Sequence, residues 1–187
     1  MRLLSKNQQL LLQLLLINPA RAYYLQELGR ILGKPPGTFQ RALNALAAEG
    51  IVTSEYHANA RFFQANTTHP LYPELKRIIA KTIGVEGVLR ELVARSRGMT
   101  LALLYGSFAK HTERADSDID LLLVGTPRAE TRLLKALPRL ERQFQREINY
   151  KLYSPVEYRR RRSAQDPFLQ EVLSDHPVVL KGAPNAV

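Results

Sequence analysis

The stretch that most limits what this chain can fold into lies between residues 100 and 124. Two apolar runs, TLALLY at 100–105 and DIDLLLV at 118–124, flank a polar segment that begins Gly106-Ser107. Short apolar runs bounded by turn residues read as buried strands. Side chains on a strand alternate faces, so Asp118 and Asp120 project on the same side. Two carboxylates that close repel each other, and a bound Mg²⁺ is the usual offset. Upstream, a glycine lets a ligand approach the backbone closely. A helix opening at Gly106-Ser107 offers its N-terminus and the Ser107 hydroxyl to phosphate. A phosphate cradle beside a carboxylate pair suits metal-dependent nucleotidyl transfer, in which metals bridge the triphosphate and carboxylates hold the metals.

The string LLYGSFAKHTERADSDIDLLLVG resembles the signature of the minimal nucleotidyltransferases of the DNA polymerase beta superfamily. The matching residues are Gly106, Ser107, Ala109, Ser117, Asp118, Ile119, Asp120 and Leu121. The resemblance implies that Gly106, Ser107 and Ser117 bind nucleotide. It implies that Asp118 and Asp120 are catalytic and carry two Mg²⁺ ions when nucleotide is bound. Two positions depart from the pattern. A glycine is usual five positions after the first, and His111 stands there, read as a surface loop residue. Active relatives also place a third acid on a later strand. Here that strand is EINYKLY at 147–153, where Glu147, Asn149 and Lys151 alternate onto one face. Glu147 is its only acid and is taken as catalytic. The alternative is that the position falls on Asn149, which cannot act as a base; nucleotide binding would then survive with weak turnover or none. Lys151 is read as a solvated strand-edge lysine.

The first third of the chain has a different pattern. Residues 5–17 are expected to form an amphipathic helix with Ser5 as N-cap, stopped by Asn18-Pro19. Residues 24–32 give a second helix that ends at Gly33. Pro35-Pro36 starts a third, with Phe39, Leu43 and Leu46 on its core side. Residues 51–56 and 61–66 then read as a hairpin. The series QELGRILGKPPGTFQRALNALAAEGIVTSE resembles the winged-helix regulators of the ArsR/MarR type. Thr38, Gln40, Arg41 and Asn44 face outward on the third helix, where Gln, Asn and Arg can read base edges, and Arg61 on the wing suits phosphate or minor-groove contact.

The fold class expected is therefore α+β. A winged helix-turn-helix (1–68) precedes a helical connector (69–98). A small mixed-sheet α/β nucleotidyltransferase domain of polymerase beta type (99–187) follows. The fusion resembles prokaryotic proteins of that composition. It implies AMP transfer from ATP to an acceptor, which in relatives paired with HEPN-type toxins is a protein side chain. A regulator that binds nucleotide and catalyses little is the alternative. Double-stranded DNA is an expected partner, and a homodimer is expected through the 70–96 helices.

Composition supports these classes and removes others. The net charge is +10, and residues 1–83 hold ten Lys and Arg against four Asp and Glu, which favours an acidic partner. The absence of cysteine excludes a disulfide scaffold, cysteine-ligated zinc, iron–sulfur clusters and thiol catalysis. The longest apolar stretch, Leu10 to Ile17, is well short of the roughly 18 residues that a membrane helix needs. Gln8, Gln9 and Gln13 argue against a signal peptide, so a cytoplasmic protein is expected. The basic run Arg159–Arg162 and the basic stripe of the 128–146 helix are read as solvated helix faces.

Overall fold

A computed structural model describes residues 4–110, 112–114 and 116–186. The chain divides into two compact units, residues 1–85 and 86–187.

The first unit opens with α1 (Lys6–Ile17), β1 (Tyr23–Tyr24), α2 (Leu25–Leu32) and α3 (Gly37–Ala48). The hairpin β2 (Val52–His57) and β3 (Ala60–Ala65) follows, then α4 (Tyr72–Thr82). Ser5 caps α1 in a capping box: its hydroxyl accepts from the Gln8 amide, and the Gln8 side chain accepts from the Ser5 amide. Gly33 ends α2 in the left-handed conformation that glycine tolerates best. Phe39, Leu43 and Leu46 of α3 are fully buried, as their spacing predicts.

Two features differ from expectation. α1 is not amphipathic from Leu11 onward, because Leu11, Leu12, Leu14, Leu15 and Leu16 are all buried. Its neighbours enclose it, and even Gln13 is buried, donating its amide to the Ile83 carbonyl. The sheet also has three strands, in the order β1-β3-β2, because Tyr23 and Tyr24 pair with Phe63 and Phe62. A two-residue strand is too short to leave a period in the sequence.

The second unit contains most of α5 (Val85–Ala94), then β4 (Met99–Tyr105), α6 (Gly106–Lys110), β5 (Ile119–Gly125) and α7 (Pro127–Phe144). It closes with β6 (Ile148–Tyr153), α8 (Pro155–Ser163), α9 (Pro167–Ser174) and β7 (Val178–Lys181). The sheet order is β6-β5-β4-β7. β4 pairs antiparallel with both neighbours, and β5 pairs parallel with β6, so the sheet is mixed. The α+β class and mixed sheet expected from the sequence are present.

The registers sort the sheet's two faces. Tyr105, Leu103 and Leu101 stand beside Asp120, Leu122 and Val124, and these beside Asn149, Lys151 and Tyr153. Most of that face forms a core with Tyr158 of α8 and Leu169 and Val172 of α9. The apolar layer stops at Tyr105 and Phe168. Beyond it the same face continues into Asp120, Asn149 and Asp118.

Candidate active site

The site is assembled at one end of this sheet, where β4 ends and β5 begins. β4 runs directly into Gly106, whose φ of +71° is a conformation that side chains with a Cβ rarely adopt. A Cβ there would lie 2.8 Å from Asp120 Oδ2. The turn favours glycine, and a Cβ there would also displace the Asp120 carboxylate. Ser107 follows in the first turn of α6, and its carbonyl accepts from the Thr112 amide at 3.0 Å.

The returning loop is held by local hydrogen bonds. The Ser117 hydroxyl accepts from the Arg114 amide at 2.9 Å, closing a turn just before Asp118. Arg146, buried to 6% exposure, donates to the Ser117 carbonyl at 3.5 Å. The Ile119 amide donates to the Glu147 carbonyl at 2.9 Å, which starts the parallel pairing of β5 and β6. His111 lies outside the described residues.

Asp118 and Asp120 are both half-buried, and Asp120 is paired between Tyr105 and Asn149. Burial, and next the negative charge of Asp118, push the Asp120 carboxyl above its ordinary range. Tyr105 is raised as well, first by burial and then by Asp120. A cation relieves both carboxylates at once. Mg²⁺ binds through one or two carboxylates and completes its octahedron with water and substrate phosphate oxygens. Two half-buried aspartates on one face, open to further ligands, fit that requirement. Among the described residues no group of three or more acids and histidines is placed to hold a metal.

Asn149 reaches this pair. Its side-chain amide donates to Asp118 Oδ2 at 3.2 Å. Glu147 precedes β6 and is exposed. Alternation along β6 places Glu147, Asn149 and Lys151 on one face, and the sequence favours Glu147 as the only acid among them. Lys151 is not simply solvated: its ammonium sits 3.9 Å from the centre of the Phe168 ring. Phe168 in turn meets Tyr105 edge-on, with centroids 5.8 Å apart. The sequence shows no sign of this Tyr105–Phe168–Lys151 cluster bordering the aspartates. Only the alternation of β6 hinted at Lys151, and nothing local connects Phe168 to residue 105.

In the first unit, Thr38, Gln40, Arg41 and Asn44 are all exposed on α3. Arg61 donates to Ser54 Oγ through Nε at 3.1 Å and Nη2 at 2.8 Å, and through Nη1 to Asn44 Oδ1 at 3.1 Å. Its guanidinium also lies 5.0 Å from the Phe63 ring centre. The same Asn44 oxygen accepts from Gln40 at 3.3 Å. These bonds tie the exposed face of α3 to the hairpin.

A family model described as "Polymerase beta, Nucleotidyltransferase" matches residues 89–183. A search of curated proteins returns no match. Among solved structures, a toxin–antitoxin crystallised with AMP-PNP is similar at 16% identity, with a TM-score of 0.37, over 53% of this chain and 74% of that one. A mutant of the toxin–antitoxin MntA-HpeT is similar at 17% identity, with a TM-score of 0.36, over 52% and 73% respectively. No helix of the described residues is long and apolar enough to cross a membrane.

Proposed function

The chain belongs to the polymerase beta nucleotidyltransferase family, and on that premise we propose that it transfers a nucleoside monophosphate, AMP from ATP, to a protein acceptor. The observation that carries this reading is the juxtaposition of Gly106 with the carboxylates of Asp118 and Asp120 on one sheet face. In this proposal Asp118 and Asp120 hold two Mg²⁺ ions, and Gly106, Ser107 and Ser117 receive the phosphates. The magnesium ions supply charge neutralisation on the triphosphate. Gly106 and the opening turn of α6 bring backbone N–H groups toward the phosphates. Glu147 would take the proton from the acceptor hydroxyl as its oxygen bonds the α-phosphorus of ATP, and the bond from that phosphorus to the β-phosphate breaks with release of pyrophosphate. A HEPN-type toxin is the proposed acceptor, which makes the protein antitoxin-like.

A second reading is favoured by one contact. Asn149, not an acid, donates to Asp118. If Asn149 occupies the third-carboxylate position, the site binds Mg²⁺ and nucleotide as a signal and transfers little. The protein is then a nucleotide-responsive transcriptional regulator.

Label transfer from ATP carrying a labelled α-phosphate, with Mg²⁺ and host lysate, tests the first reading. Wild type should label a protein band, and the Asp118→Ala, Asp120→Ala double variant should not. A general base typically contributes 10²–10⁴-fold, so Glu147→Gln should slow labelling by about a hundredfold or more. Under the second reading wild type labels nothing, Glu147→Gln changes nothing, and Asn149→Asp gains transfer.

We further propose that residues 1–68 form a winged helix that binds double-stranded DNA through Thr38, Gln40, Arg41, Asn44 and Arg61, joined by 69–98 to the nucleotidyltransferase domain. The exposure of the α3 residues supports this. The hydrogen bonds of Arg61 to Asn44 and Ser54 leave that residue preorganised beside them. Leu71 and Ile78, exposed at and on α4, support a homodimer, for which light scattering should give twice the chain mass.

A further inference from the structure

Away from the carboxylates, at the opposite end of the sheet, the second unit carries a strongly cationic groove. It has a volume of about 1070 Å³, and Arg95, Arg97, Arg128, Arg132 and Lys135 line it beside Gly98 and Thr126. A further depression of about 670 Å³ continues it between α5 and α7, sharing Arg95, Arg132 and Lys135 and adding Arg139. All six cations are exposed. Asp120 and Thr126 are separated by the length of β5, on the order of 20 Å at strand rise. The groove is therefore distinct from the aspartate site.

The charges are arranged as a row. Arg128, Arg132, Lys135 and Arg139 recur on one face of α7 and span about 16 Å at the helical rise. Like charges three and four residues apart weaken a helix on their own. A single phosphate cannot engage a row of that length, whereas consecutive phosphates of a strand can. Among the lining residues the one carboxylate is Glu91, and Arg95 already engages it at 2.6 Å. Arg132 donates to the Arg95 carbonyl at 2.7 Å, fixing the end of α5 against α7. Among the described residues no acid pairs with Arg97, Arg128, Lys135 or Arg139. Among the described residues that line the groove none is aromatic, so they offer nothing for a base to stack on. The solvated-face reading of this helix does not account for a concave surface with this composition.

We infer that this groove binds the phosphodiester backbone of a nucleic acid strand, without base recognition, as a second nucleic-acid surface separate from α3. Its test uses the full chain carrying Arg41→Ala and Arg61→Ala, which removes the two cations of the proposed α3 surface. Into that background go Arg97→Gln, Arg128→Gln and Lys135→Gln together. These three side chains are exposed and make no ion pair among the described residues, and an unchanged melting temperature checks that the fold is intact. Anisotropy of a labelled single-stranded RNA and a labelled DNA duplex is followed across salt concentrations. Neutralising three phosphate contacts should weaken binding at least tenfold and make the log–log salt slope shallower by about 2 to 3. Equal loss on both probes means that either source of phosphodiester is taken, and loss on one alone names the source. Affinity and slope unchanged on both probes overturn the inference. So does tighter binding of the parent to polyglutamate than to either nucleic acid, which would make the groove a site for acidic protein. Mg²⁺-dependent ATP binding should be the same with and without the three substitutions.

Discussion

Gly106 concentrates the demands of the candidate site in one position. Its positive φ and the 2.8 Å between a would-be Cβ and Asp120 Oδ2 make Gly106→Ala costly in two ways. The left-handed backbone alone costs an alanine roughly 1–2 kcal/mol, and the displaced carboxylate adds to that. Gly106→Ala should therefore weaken Mg²⁺-dependent ATP binding by about tenfold or more, read by calorimetry. An alanine variant that binds as tightly as wild type would show that the glycine serves only the turn. This residue was legible in the sequence because glycine, serine and the two aspartates are near one another in the chain. The neighbour of Asp118 was not. Whether Glu147 or Asn149 approaches it depends on the register of two parallel strands joined by an 18-residue helix. Alternation assigns all three β6 candidates to one face, and a shift of two residues along the strand leaves that face unchanged. The amide contact of Asn149 was visible only once the register was known.

Helices and strands account for how firmly the site is supported. Asp166 caps α9, accepting from the Leu169 amide at 3.1 Å, and pairs with Arg161 of α8 at 3.0 Å. The Leu169 amide, and then Arg161, hold its carboxyl below the ordinary range. A carboxyl depressed in the folded state contributes stability above its unfolded value near 3.9, and that contribution is lost as pH falls through the folded value. Asp166→Ala should lower the melting temperature at neutral pH and flatten its fall on acidification. Asp166→Asn, which retains a cap acceptor, should lose less. Equal melting curves for wild type and Asp166→Ala at neutral pH would show that α9 does not depend on this cap. A polar cap followed by proline in the first turn opens both α8 and α9. The burial of α1 on every side was not readable, since a run of leucines gives the same pattern whether one face or all faces are covered. α7 was expected to reach residue 146, but it ends at Phe144 with Gln145 left-handed. A helix that ends without glycine carries no signal for its end.

At the level of the whole chain, each unit has a core of its own. Leu11, Leu14 and Leu15 pack with Phe39, Leu43 and Phe63 in the first, and Leu101, Leu103 and Leu122 with Tyr158 and Leu169 in the second. Leu15→Ala should cost about 2–5 kcal/mol in unfolding of the first unit, with Mg²⁺-dependent nucleotide binding by the folded protein retained. Loss of that binding in the folded variant would place part of the site outside residues 86–187. The readings of transfer enzyme and nucleotide-responsive regulator share one claim, that Asp118 and Asp120 bind nucleotide together with Mg²⁺. Calorimetric titration of ATP into wild type and into the Asp118→Ala, Asp120→Ala variant, with Mg²⁺ and with chelator, addresses it directly. Wild type should bind ATP with Mg²⁺ and lose that binding with chelator, and the variant should not bind. Equal binding by both proteins, indifferent to Mg²⁺, would contradict it.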